Sequence, residues 1–292
     1  MEASGENGEL DSPLISIVMS VRNCESQLPE ALESIRAQTY ENWELIVCDD
    51  ASTDSTLEVL AQFSELIGAE RIKVLENVEN KKLAYSLNRC LEHVRGDFVA
   101  RMDGDDRSVP TRLASQLQFL MNNPDIDLVG TAMRRFNSDG AGEVVYPAAI
   151  APDRWTLGRT SKTPFFHATV MARRSVFDSV GGYTVSWRTE RGQDLDLWFK
   201  FFAAGLQGRN MPDPLYWVRE DAAAIRRRTA RVRLGGYVTR VKGNWALGYP
   251  VGAYLRCTVD LLKIFVPYKA FDLHRRWSRE AALRSGERGP TA

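Results

Sequence analysis

The sequence predicts an α/β domain on a mostly parallel sheet with helices on both faces, followed by a helical, basic C-terminal extension. Short apolar runs rich in β-branched residues alternate with stretches whose apolar residues recur every three to four positions. Acidic residues stand where two of those runs end, and the charge balance changes near residue 219. Leu14 to Met19 reads as a buried strand, followed by a helix with Leu28, Ala31, Leu32 and Ile35 on one face. Trp43 to Cys48 is a second strand and stops at Asp49-Asp50; Ser55 with Glu58 suits a capping box for a helix with Leu57, Leu60 and Ala61 inward. Arg71 to Leu75 is a strand, and Leu83, Leu87, Cys90, Leu91 and Val94 form a helical stripe. Gly96-Asp97 turns into a strand over Phe98 to Met102, and Pro110 opens a helix burying Leu113, Leu117, Leu120 and Met121. From Thr131 to Phe177 short strands and turns are expected. Gly192 then precedes a helix over Gln193 to Ala204, with Leu195, Trp198, Phe199 and Phe202 on its buried face.

At 292 residues, 44% apolar and 26% charged, the chain can bury one core and a small appendage. Residues 1–12 are polar and acidic, without the apolar stretch of a signal peptide, and are expected to be disordered. The catalytic domain is expected over 13–218 and the extension over 219–292, with no run of about 18 apolar residues in either. Cys24, Cys48, Cys90 and Cys257 lack paired spacing and read as reduced cysteines of a cytoplasmic protein. The formal net charge is zero, yet from Arg219 onward 16 Lys/Arg face 6 Asp/Glu, so an acidic body carries a basic tail suited to an anionic partner.

In largely parallel sheets ligands bind beyond the carboxyl ends of the strands. Asp49-Asp50 falls at one such end and Asp103-Gly104-Asp105-Asp106 at another. Three carboxylates within four residues repel one another unless a cation compensates, and hard oxygen donors suit Mg²⁺ or Mn²⁺ shared with phosphate. A solvated acidic turn capping the helix after Pro110 is the plainer alternative.

The segments ISIVMSVRN, LPEALESIRAQTYENWELIVCDDASTDST and GDFVARMDGDD, followed by P-x-R-L, resemble the family-2 glycosyltransferases of the GT-A fold, over roughly Leu14 to Arg219. The stretch SLNRCLEHVRGDFVARMDGDDRSVPTRL resembles the bacterial branch that builds surface polysaccharides. The resemblance implies a donor pocket of Ser20, Val21, Arg22 and Asp50, with Asp50 accepting a hydrogen bond from the base. It implies a metal held by Asp105 with Asp103, and Arg101, Gly104 and Asp106 shaping the site. The sequence departs from the family at Arg22, where an aromatic residue is usual, although a guanidinium also stacks on flat rings. It departs again at Lys82, where many relatives have glycine, in a loop near the donor where an added cation could touch phosphate.

Inverting transfer needs a carboxylate to take the acceptor's proton. Family resemblance puts it in the pair Gln193-Asp194, with Asp194 the base and Asp196 the second choice; helix capping is the plainer role for Asp194. His167 is a candidate contact to donor phosphate or acceptor, and Trp187 and Trp217 could stack on sugars. Glu220 or Asp221 stands near the place where relatives sometimes have a metal-binding histidine. Val251, Leu255 and Val259 at four-residue spacing, with Arg256, Lys263 and Lys269, suit an amphipathic helix on an anionic membrane surface; a helical cap on the catalytic domain or a dimer interface is the plainer option.

The expected function is hexosyl transfer from a nucleotide sugar, UDP-sugar favoured and dTDP-sugar possible, with Mn²⁺ or Mg²⁺. The expected acceptor is a saccharide, lipid-linked in this reading, at the cytoplasmic face of the membrane. An inactive nucleotide-sugar binder is the alternative. A nucleic-acid partner is not expected, since the body is acidic and no nucleic-acid motif occurs.

Overall fold

The computed structural model describes residues 12–138, 140–159, 163–220 and 229–262. The first half alternates β1 (Ile15–Val21), α1 (Leu28–Arg36), β2 (Trp43–Asp49), α2 (Thr56–Ile67), β3 (Ile72–Glu76), α3 (Leu83–Leu91), β4 (Phe98–Asp103), the two-residue β5 (Arg107–Ser108) and α4 (Arg112–Asn122). The second half contains β6 (Leu128–Asn137), β7 (Gly140–Val145), a short α5 (Thr156–Arg159), β8 (Met171–Arg173), α6 (Arg174–Val180), α7 (Gln193–Ala203) and β9 (Gly208–Arg219). Two helices close the described chain, α8 (Ala230–Ala246) and α9 (Val251–Leu262).

One sheet runs β3-β2-β1-β4-β8-β6-β9-β5, with β7 paired to β6. The strands β1 to β4 are parallel, as the alternation with helices predicts. Beyond β4 the sheet is mixed: β8 runs antiparallel to both β4 and β6, while β9 is parallel to β6. Both faces are covered. Ile15, Ile17, Met19 and Val21 of β1 pack with Leu28, Leu32, Ile35 and Leu117 on one side. Val18 joins Ile46, Leu87, Phe165, Trp198 and Phe201 on the other, the period-two division of a strand buried on both faces.

Several local expectations need correction. Ser55 makes no side-chain cap at α2; Asp54 accepts from the N–H of Thr56 at 3.1 Å and Glu25 from that of Ser55 at 2.8 Å. Met121 is 54% exposed, and Ala61 is exposed while Leu60 and Phe63 are buried, so both predicted stripes were one position too wide. Pro212 and Pro214 lie inside β9. There the register jumps from Thr131 opposite Met211 to Met133 opposite Tyr216, a bulge that needs no N–H from either proline.

The described part of the basic extension packs on the body. Leu247, Tyr249 and Ala253 belong to the core on the Trp198 side, and the Tyr249 ring stacks on Trp155 at 5.1 Å. A Cβ at Gly243 would overlap the Phe199 ring, so glycine lets α8 approach α7 closely. Val251 and Leu255 nevertheless face outward, 74% and 65% exposed, with Trp245 at 80%. The expectations for residues 1–11, Asp221, Lys263 and Lys269 lie outside the described residues, as does the side chain of Val259.

Candidate active site

The parallel strands bring their carboxyl ends together. Ser20 stands between Cys48 of β2 and Asp103 of β4, and Val21 is opposite Asp49. Ser20, Val21, Asp50 and Asp103 therefore share one edge, with Val21 buried and Arg22 exposed in front of it. A Cβ at Gly104 would lie 2.6 Å from Val21 Cγ1, so glycine is what lets the acidic loop rest on the end of β1. Asp49 caps its own turn, accepting from the Ser52 N–H at 2.9 Å. Asp50 fastens the loop after β3: it accepts from Asn77 Nδ2 and the Lys81 N–H, each at 2.7 Å, and from the Lys82 N–H at 2.8 Å.

Lys82 has φ +74°, in the left-handed region that favours glycine. For a residue with a Cβ this costs on the order of 1–3 kcal/mol. The family's preference for glycine at this position thus has a backbone cause, and the lysine is held there by its N–H bond to Asp50.

Carboxylate oxygens of Asp103, Asp105 and Asp106 all lie within 4.8 Å of one another. Burial, then the charges of Asp103 and Asp105, push Asp106 up to about 8. Burial and Asp103 likewise raise Asp105. Carboxyl groups that cannot all ionise comfortably are what a divalent cation relieves, and an all-oxygen donor set fits Mg²⁺ or Mn²⁺. Beneath them Arg101 is 1% exposed and ion-paired with Asp103, while its Nε has no hydrogen-bond partner.

Three residues that the sequence did not single out hold this loop. The Tyr216 hydroxyl accepts from the Asp103 N–H at 3.0 Å. Arg219 donates its N–H to Asp106 Oδ1 at 2.7 Å and its Nε to the Asp105 carbonyl at 2.9 Å, and its far end is paired with Glu30. Arg107 pairs with the same Glu30 carboxylate. Burial opposes ionisation of Glu30, but hydrogen bonds and charge from Arg107 and Arg219 hold it below the usual carboxylate range. The Tyr216-to-Arg219 stretch carried a signal, although reading it for a missing histidine hid the arginine.

Asp194 lies in the first turn of α7, half-buried, behind the N-cap Gly192; it is not itself the cap. Burial raises its carboxyl above the usual range, opposed by nearby backbone N–H groups and then by the charge of Arg101. Since Arg101 also pairs with Asp103, the acidic loop and Asp194 share one electrostatic neighbourhood. Gln193 is half-buried beside it. Asp196 is already engaged, with Arg188 at 2.5 Å and the Thr184 hydroxyl, and fastens α7 to the preceding turn. His167 pairs with the Tyr183 hydroxyl at 2.8 Å, and burial drives its pKa down, which leaves a neutral imidazole. Trp217 faces away from Tyr216, in a group with Phe136, Arg107 and Arg134. Trp187 is 45% exposed, and Glu220 is near Arg135.

An α/β sheet of this order, with an acidic loop at the carboxyl end of β4 and an aspartate in the first turn of α7, is that of a GT-A-like fold. The chain belongs to glycosyl transferase family 2, whose sequence profile matches residues 16–186. It is 41% identical over 256 residues to EpsE of Bacillus subtilis (strain 168), covering 87% of this chain and 90% of EpsE. Bacterial polysaccharide glycosyltransferases are among its other relatives. S. aureus TarS 1-349 in complex with UDP-GlcNAc has a similar fold, with TM-score 0.64 and 17% identity, covering 86% of this chain and 71% of that one; the longer TarS chain is covered over 44% of its length. The mannosyltransferase PcManGT from Pyrobaculum calidifontis, in complex with GDP-Man and Mn²⁺, gives TM-score 0.63 at 17% identity, covering 93% and 86%. The two structural likenesses speak to the fold.

Proposed function

We propose that this chain is an inverting hexosyltransferase that uses a nucleotide sugar, UDP-sugar in preference to dTDP-sugar, in the assembly of a cell-surface polysaccharide. The observation that carries this reading is the acidic loop at the carboxyl end of β4, where carboxylate oxygens of Asp103, Asp105 and Asp106 lie within 4.8 Å of one another and Asp103 pairs with the buried Arg101. Ser20, Val21, Arg22 and Asp50 form the donor's nucleoside side of the crevice, with Arg22 stacking on the base. Asp50 keeps its three backbone and amide donors and turns a remaining lone pair to the base. Asp103 and Asp105 hold Mn²⁺ or Mg²⁺, with Asp106 behind them. Such an ion, when bound, offsets the charge that grows on the departing nucleoside diphosphate.

Asp194 takes the proton from an acceptor hydroxyl as that oxygen bonds to the anomeric carbon. The bond from that carbon to the diphosphate breaks, and its electron pair leaves with the nucleotide. A carboxyl raised by burial suits this work, because it is a stronger base than an exposed aspartate. The UDP-GlcNAc complex of TarS and the Mn²⁺ complex of PcManGT support the donor class and the metal.

The acceptor in this reading is a lipid-linked saccharide at the cytoplasmic face of the membrane, reached through the extension. Trp245, Val251 and Leu255 are exposed beside the exposed cations Lys242 and Arg256. No helix among the described residues is long and apolar enough to cross a membrane, so attachment in this reading is peripheral.

Thermal shift with UDP, dTDP and their sugars, with and without Mn²⁺, tests the proposal. A metal-dependent rise for UDP compounds is expected, and it should vanish in Asp105→Ala. Unchanged metal-dependent binding in that variant would remove the ligand role. Binding without any transfer or donor hydrolysis would point to an inactive binder.

A further inference from the structure

Lys82 is one of three non-glycine residues with positive φ among the described residues, beside Asn23 and Ala51, and it is the charged one. Its backbone is in a glycine-type conformation and is pinned there by the bond to Asp50, while Ser86 donates its N–H back to the Lys82 carbonyl at 3.2 Å. The backbone is thus fixed and the side chain is not: 54% of its surface is exposed. The ammonium reaches from this donor-side loop to Glu190, at 3.9 Å, four residues before Asp194. Glu190 also pairs with Arg231 at the start of α8, again at 3.9 Å. Two cations therefore share one carboxylate, linking the loop after β3 to the turn before α7 and the start of α8, and the trio carries a net positive charge.

We infer that Lys82 is a donor-binding residue whose ammonium leaves Glu190 for the diphosphate of the nucleotide. The inference rests on the nucleotide-sugar reading above. A loosely spaced, exposed ion pair contributes little and is easily exchanged. The exchange leaves no charge alone, because Glu190 retains Arg231 when Lys82 turns to phosphate. A strained residue kept at such a position is accounted for by what its side chain does, and a mobile point charge on a fixed stem suits phosphate.

Calorimetry with UDP and dTDP, each against its nucleoside, in Mn²⁺ decides the matter. Lys82→Gly relieves the backbone strain and keeps the loop, so it folds. It should bind the diphosphate about tenfold more weakly, with the nucleoside unchanged, and the salt dependence should flatten. Lys82→Arg should recover most of the loss, and Glu190→Gln should bind the diphosphate as tightly as the unaltered protein or tighter. Equal diphosphate affinity in Lys82→Gly, or an equal loss for the nucleoside, overturns the role of Lys82. Failure of the unaltered protein to bind any of the four compounds overturns the donor reading itself, and this inference with it.

Discussion

Asp194 and Asp196 are two residues apart on one helix, yet folding gives them different surroundings. Asp196 is neutralised by Arg188, whereas Asp194 is half-buried with its carboxyl raised by desolvation. Asp194→Asn is expected to leave donor binding intact and cut turnover by at least about 10²-fold; a near-normal rate would eliminate it as the base. As base, Asp194 must be ionised, so turnover should fall as pH drops through its raised pKa, with an inflection above the ordinary value of about 3.9. The stability effect has the opposite sign. A native carboxyl that holds its proton more tightly than the unfolded one loses stability as pH rises through the native pKa. The Asn variant escapes that loss and should melt no lower than the parent at pH 7 to 8. At this scale the acids were legible as candidates, because carboxylates at strand ends are conspicuous. The sequence put Asp194 ahead of Asp196 by family resemblance alone, since the physical difference between them lies in Arg188 and Thr184, brought in by folding.

Among elements, the acidic loop is held by β9 and α1 rather than by its own strand. Arg219 bonds the Asp105 carbonyl and Asp106, and Glu30 joins it to Arg107 across two chain segments far apart in sequence. Arg219→Ala should leave the fold standing but weaken the apparent Mn²⁺ affinity about 10–100-fold, the range for residues that orient metal ligands. A metal titration followed by thermal shift reads this directly, and an unchanged midpoint would show that the loop holds its geometry alone. The helices and the first four strands were legible because their apolar periodicity is strong. The length of β6 and the continuation of β9 through two prolines were not, since a bulge against a partner strand leaves no local signature.

For the whole molecule, an acidic body carries a basic extension, for which we propose a lipid surface as partner. Part of the extension is drawn into the core through Leu247, Tyr249 and Ala253, while Trp245, Val251 and Leu255 stay outside. The described part of the tail is thus a helical cap on the body, and its outward face is the one the membrane proposal uses. Flotation should show binding to phosphatidylglycerol vesicles that salt weakens, and little binding to phosphatidylcholine, because each basic group near an anionic surface contributes about 1 kcal/mol. Combining Trp245→Ala with Leu255→Ser should release the protein from the vesicles. Retention of both variants would assign this face to something other than lipid.

By itself the sequence determined the α/β class, the order of its first four strands with their helices, the acidic loop and the family. Each of these is written in local chemistry: period-two or period-3.6 burial, turn residues and runs of carboxylates. Only the tertiary structure decided the mixed second half of the sheet, the clamp of Arg219 and Glu30, and the strained, bridging position of Lys82. Those depend on which residues distant in the chain become neighbours, and a long-range pairing leaves no pattern within either of the segments it joins.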